Sequence, residues 1–67
     1  MTTAEIIAIG TELLLGETTD TNTGFIARAL RGIGVDLYRT QAIGDNNDRI
    51  ASMMREALRR AEIVITT

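Results

Sequence analysis

The sequence contains no histidine, no cysteine and no lysine, and its seven basic residues are all arginine. Without cysteine there is no disulfide framework and no thiolate metal site. The missing histidine and lysine remove Ser-His-Asp triads, Cys/His zinc sites, the P-loop lysine and any Schiff base. A net charge of −2 leaves no basic field to hold nucleic acid or an anionic membrane. No apolar run approaches the length needed to span a bilayer. The opening "MTTAEIIAIG" lacks the basic segment and cleavage site of a signal peptide. These absences predict a soluble cytoplasmic protein with neither nucleic acid nor membrane as partner.

What is present is carboxylates, hydroxyls, asparagines, arginines and backbone N–H groups. That inventory suits a hard cation such as Mg²⁺ and a phosphate-bearing small molecule. The length of 67 residues is near the lower limit for a domain that buries its own core. It allows one domain at most, spanning residues 1–67, and the expectation is an incomplete one. Its missing strands would come from the remainder of a parent chain or from a second copy.

"AEIIAI" (4–9) is a nearly continuous β-branched run and predicts a strand buried on both faces. "NTGFIARALRGIG" places Phe25, Ile26, Ala29, Leu30 and Ile33 at helical spacing. Asp20 or Thr21 is available as its N-cap, and Gly34 as its C-terminal stop. "VDLYRTQAI" (35–43) is a more polar strand, fit for a sheet edge. "GDNNDRIASMMREALRRA" is strongly amphipathic, with Ile50, Met53, Met54, Ala57, Leu58 and Ala61 on one face. Asp45 can cap it, with Asp48 three residues on. "EIVIT" (62–66) closes the series as a third strand. The β-α-β-α-β order predicts an α/β fold: a three-layer α/β/α arrangement on a mostly parallel sheet ordered 2-1-3.

In such sheets ligands settle beyond the carboxyl ends of the strands, where strand order reverses. The long polar segment after the first strand therefore marks the site. It brings Thr11, Glu12, Asp20 and Asn22 to one rim with Asp45, and helical spacing puts Asn22 on the inward face. The positive end of the first long helix points to the same rim and favours an anion. Plainer roles stand beside these: Asp45 as an N-cap, Glu12 as a solvated acid, Asp20 or Asn22 as a cap. Leu13–Leu15 read as a packed turn, Met53 and Met54 as core, and Arg59 and Arg60 as a solvated helix end. No G-x-G-x-x-G follows the first strand, so a dinucleotide fingerprint is absent.

Four motifs in order carry a resemblance: G-T-E-L-L-L-G at 10–16, D-T-N at 20–22, G-x-G-V-D at 32–36 and G-D-N at 44–46. Over essentially its whole length the chain resembles the opening portion of the CinA family, the competence/damage-inducible proteins. Their N-terminal domain is of the molybdopterin-binding type (MoaB/Mog/MoeA-like). The resemblance implies a nucleotide or pterin ligand and, in the full-length protein, metal-dependent ADP-ribose pyrophosphatase activity. No organic cofactor is evident; the resemblance implies a divalent metal, Mg²⁺ or similar, with Asp45 and Glu12 as its candidate ligands and Asp20 as the alternative to Glu12. Asp45 is the candidate catalytic residue, and Thr11, Glu12, Asp20 and Asn22 are candidate ligand-binding residues. Two alternatives remain open: adenylyl transfer to molybdopterin, and a non-catalytic module that binds a ligand or assembles subunits. In the family a glycine-rich G-G-x-G-P-T segment follows the third strand, and here Thr67 ends the sequence where it would begin. The expectation is an inactive fragment without that phosphate cradle. The C-terminal amidase domain of many CinA proteins is likewise not among these residues.

Overall fold

A computed structural model describes residues 1–67. It contains β1 (Thr3–Ile9), α1 (Thr11–Leu14), α2 (Thr21–Gly32), β2 (Asp36–Ile43), α3 (Asn47–Arg60) and β3 (Ile63–Thr66). The three strands form one parallel sheet in the order β2-β1-β3. β1 is buried along most of its length, as its β-branched run requires, whereas β2 is largely exposed at the sheet edge.

Alternation along β1 divides the core between two faces. Ala4 and Ile6 pack with Leu30 of α2, joined by Ile26, Val35, Leu37, Ile63 and Ile65. Ile7 packs with Ile43 and with Ala57 of α3, joined by Ile9, Ile50, Met53, Met54 and Val64. Successive right-handed crossovers run from β1 to β2 and then back across β1 to β3. Because they travel in opposite directions, they place the two long helices on opposite faces. The three layers follow from that.

Each helix end has a local cause. Asp20 caps α2, its side chain accepting from the Thr23 N–H at 3.0 Å. At the other end Val35 N–H donates to Leu30 C=O (3.0 Å) and Gly34 N–H to Arg31 C=O (3.2 Å). That pair is a Schellman closure, with Gly34 at φ +76° where a side chain would be strained. α3 starts one residue later than the sequence suggests. Asn46, not Asp45, is its N-cap and accepts from Arg49 N–H at 3.0 Å. None of the helices is long and apolar enough to cross a membrane.

A bulge in the β1–β2 pairing between Ala4 and Glu5 sets Glu5 opposite Arg39, on the α3 face. Glu5 is only 2% exposed, and its carboxylate takes a bidentate pair of hydrogen bonds from Arg60 at the end of α3. Arg60 is thus not simply a solvated helix end. Its guanidinium is held above its usual pKa, chiefly by the hydrogen bonds to Glu5.

Candidate functional site

The segment after β1 is not a plain loop. Thr11–Leu14 form one helical turn, α1, bracketed by the two glycines of G-T-E-L-L-L-G. Glu17 N–H donates to Glu12 C=O at 3.0 Å and Gly16 N–H to Leu13 C=O at 3.4 Å, a second Schellman closure with Gly16 at φ +74°. Gly10 serves differently: the Glu12 carboxylate folds back over it, and a Cβ there would collide with Glu12 Oε1. Leu13 is half-buried, but Leu14 and Leu15 are exposed, so the leucines do not form a fully packed turn.

α1 also grips the second loop. Thr11 Oγ1 accepts the Asp45 N–H at 3.1 Å, and a Cβ on Gly44 would sit 3.3 Å from Leu14 Cδ1. The G-D-N turn is therefore docked on the helical turn that follows β1. With Asn46 as the cap, the exposed Asp45 carboxylate has no hydrogen bond within the protein.

A crevice of about 190 Å³ opens where the carboxyl ends of β1 and β3 meet α1 and the start of α2. It is lined by Glu12, Asp20 and Asn22, by the hydroxyl-bearing Thr18, Thr19, Thr21 and Thr67, and by Ala8, Ile9 and Leu13. This is the switch point of the sheet, since β1 crosses to β2 on one side and β3 lies on the other. Thr67 is fixed there by continuing the β1–β3 pairing, donating to Ile7 C=O (3.1 Å) and accepting from Ile9 N–H (2.8 Å). A larger depression of about 330 Å³ lies at the far rim, between Arg28 and Arg31 of α2 and the start of β2. It is remote from the strand ends where such folds bind ligands.

Of the residues singled out in the sequence, Glu12, Asp20 and Asn22 share this crevice, while Thr11 and Asp45 are bonded to each other beside it. Asn22 lies in the first turn of α2 and is exposed, where periodicity alone had turned it inward. The threonines of the lining escaped the sequence reading. The hydroxyl run T-T-D-T at 18–21 was the signal for them.

The Asp20 carboxyl is held below its ordinary value by the Thr23 hydroxyl and then by the Thr23 and Asn22 backbone N–H groups. These bonds exist only in the folded chain. Their contribution to stability is therefore full above the unfolded value near ~3.9 and is lost as pH falls through the folded value. Asp20→Asn keeps a competent cap but does not titrate. Its melting temperature is expected to fall less steeply than the parent's between about pH 5 and pH 2. Parallel slopes in thermal melts would exclude this account.

No three acidic side chains stand close enough to cage a metal ion. Mg²⁺ commonly takes only one or two carboxylates and completes its shell with water and ligand phosphates. Glu12 and Asp45 both carry carboxylates free of hydrogen bonds within the protein, Glu12 in the crevice and Asp45 outside its lining.

The sequence model of the family described as "Probable molybdopterin binding domain" matches residues 5–67. The chain belongs to that molybdopterin-binding family. Within it, the chain is similar to CinA proteins. A competence-damage inducible protein of Alkaliphilus oremlandii is 52% identical over 64 residues, covering 96% of this chain and 16% of that protein. A CinA-like protein of Kosmotoga olearia is 50% identical over 64 residues, again 96% of this chain and 16% of the relative. The crystal structure of a CinA protein of unknown function from Thermoplasma acidophilum aligns with a TM-score of 0.91 at 33% identity. It covers 96% of this chain and 38% of that one. The chain thus spans 16% of the length of these two relatives. The molybdopterin-binding fold gives each motif a physical task. G-T-E-L-L-L-G closes a helical turn, D-T-N caps α2, G-x-G-V-D turns α2 into β2, and G-D-N docks on α1 and caps α3.

Proposed function

We propose that this chain supplies the ligand-receiving rim of a CinA-type domain that binds a nucleotide diphosphate. In the whole protein that ligand, ADP-ribose or a close analogue, is hydrolysed at its pyrophosphate. The observation supporting this most directly is the switch-point crevice walled by Glu12, Asp20 and Asn22, with Asp45 held beside it by Thr11. Water adds to one phosphorus, the bridging P–O bond breaks, and AMP and ribose 5-phosphate leave. Asp45, with a carboxylate unengaged by the protein, takes the proton from the attacking water. A divalent ion held by Glu12, Asp45 and the ligand's phosphates would neutralise charge on the pyrophosphate. A further segment of a longer chain, or a second copy, completes the crevice beyond β3.

Asp45→Asn in the whole protein is expected to lower turnover of ADP-ribose about 10²–10⁴-fold. Because the carboxylate bonds to nothing in the fold, the melting temperature should hardly move. Unchanged turnover would remove Asp45 from the chemistry. The family description names molybdopterin binding, and a second reading built on that ligand is adenylyl transfer to molybdopterin. Pterin recovered from purified protein, with AMP incorporated into it rather than released, would select that reading. Ligand binding that needs no metal and leads to no turnover would select a non-catalytic module.

A further inference from the structure

We propose that Gly10 is a positioning residue: it is glycine so that the Glu12 carboxylate can stand over it, and it acts on the reaction through that side chain. The inference rests on the nucleotide reading above, which places Glu12 at the pyrophosphate, and adds a residue which that reading does not use.

The glycines of this chain answer two different needs. Gly16 and Gly34 have φ of +74° and +76°, where a side chain strains the backbone, and a Cβ on either would meet nothing within 4 Å. Gly10 is the reverse case. Its φ of 167° and ψ of 121° are extended backbone that any residue adopts. A Cβ there would overlap Glu12 Oε1 and stand 2.9 Å from Cδ and 3.2 Å from Oε2. Those are its nearest heavy atoms, and all belong to one carboxylate. Gly10 supplies room, not conformation.

Glu12 needs that room because little else fixes it. Its carboxylate takes no hydrogen bond and no ion pair within the protein. Where it stands is then decided by what it packs on, and Gly10 is the backbone it packs on. Gly10 is itself held between β2 and α1. Its N–H donates to Ile43 C=O at 2.9 Å, and its C=O accepts from Leu13 N–H at 3.1 Å. The carboxylate therefore rests on a pinned point at the wall of the crevice it lines. A methyl group at position 10 breaks neither of these backbone bonds. It pushes one long, exposed side chain off its seat. Misplacing a reacting group by ~1 Å can cost about 10²-fold in rate.

The test is a double-variant cycle in the whole protein, read as kcat/KM for ADP-ribose with Mg²⁺. Gly10→Ala is expected to lower it ~10–10²-fold, with the fold intact by circular dichroism. Glu12→Ala should lower it at least as far. Adding Gly10→Ala to Glu12→Ala should cost no more, because the atoms the methyl displaces are then gone. Gly34→Ala strains the backbone at the opposite end of α2, so it should lower the melting temperature and leave kcat/KM unchanged. An equal loss from Gly10→Ala in both backgrounds, or a Glu12→Ala variant as active as the parent, overturns the proposal and leaves ADP-ribose hydrolysis standing. A whole protein that does not hydrolyse ADP-ribose overturns the nucleotide reading instead. The crystal structure of its Gly10→Ala variant then decides the seating. An unmoved backbone at 9–13 with the Glu12 carboxylate displaced supports it, and a carboxylate still over residue 10 overturns it.

Discussion

Replacing Ile7 by alanine is expected to remove about 2–5 kcal/mol of stability. Ile7 is 0% exposed and sits in the middle of β1, against Ile43 of β2 and Ala57 of α3. The lost methyl groups leave a hole that a central strand, paired on both sides, cannot close. At ~0.05–0.15 kcal/mol per residue, a chain of 67 residues has about 3–10 kcal/mol in total. One side chain is then a large share of the whole. Ile7→Val, which removes a single methyl, should lower stability by only ~0.5–1.5 kcal/mol. Phe25→Ala deletes more atoms, but Phe25 is 68% exposed, so its effect should stay within about 0.5 kcal/mol. Urea unfolding followed by circular dichroism orders the three. Equal midpoints for Ile7→Ala and Phe25→Ala would mean that the core is not where the burial pattern places it.

The same burial pattern explains what could be read from the sequence. The run Ile6–Ile9 is continuously apolar because both of its faces are covered, and the helical stripe of Ile50, Met53, Met54 and Ala57 is periodic because one face is. Periodicity records that directly, and right-handed crossovers then fix the order 2-1-3. Features decided by one or two contacts left no such trace. α1 is a single turn, too short to show a period, and only its flanking glycines hint at it. Asp45 and Asn46 are both good caps, and the choice between them lies outside their own chemistry. The Thr11 hydroxyl engages the Asp45 N–H, and the helix begins after Asn46. The crevice was half legible: its place followed from topology and its acids from composition. Asp20 as the cap of α2 was legible too; the added bond to the Thr23 hydroxyl is a single side-chain contact that spacing does not record.

The Glu5–Arg60 pair was the least visible feature, because its partners are 55 positions apart and Arg60 has nearer acids to choose from. It also carries the second large effect. Arg60→Met should drop the melting temperature by roughly 10 °C, because it strands a carboxylate that is 2% exposed on the α3 face of β1. Arg60 itself is 38% exposed, so water can reach the vacated side and moderates the loss. The double variant Glu5→Leu, Arg60→Met removes both charges and returns apolar volume to the site. It should be more stable than Arg60→Met alone and close to the parent, since desolvating the two ions offsets much of their attraction. What the pair adds in the parent is placement. Its two bonds, one at 3.2 Å, pin the last turn of α3 to the strand it crosses, just before the chain turns into β3. Thermal melts of the two single variants and the double variant form a cycle that isolates the coupling. A double variant as unstable as the sum of its singles would mean that Glu5 and Arg60 act independently and that α3 is held by its apolar face alone.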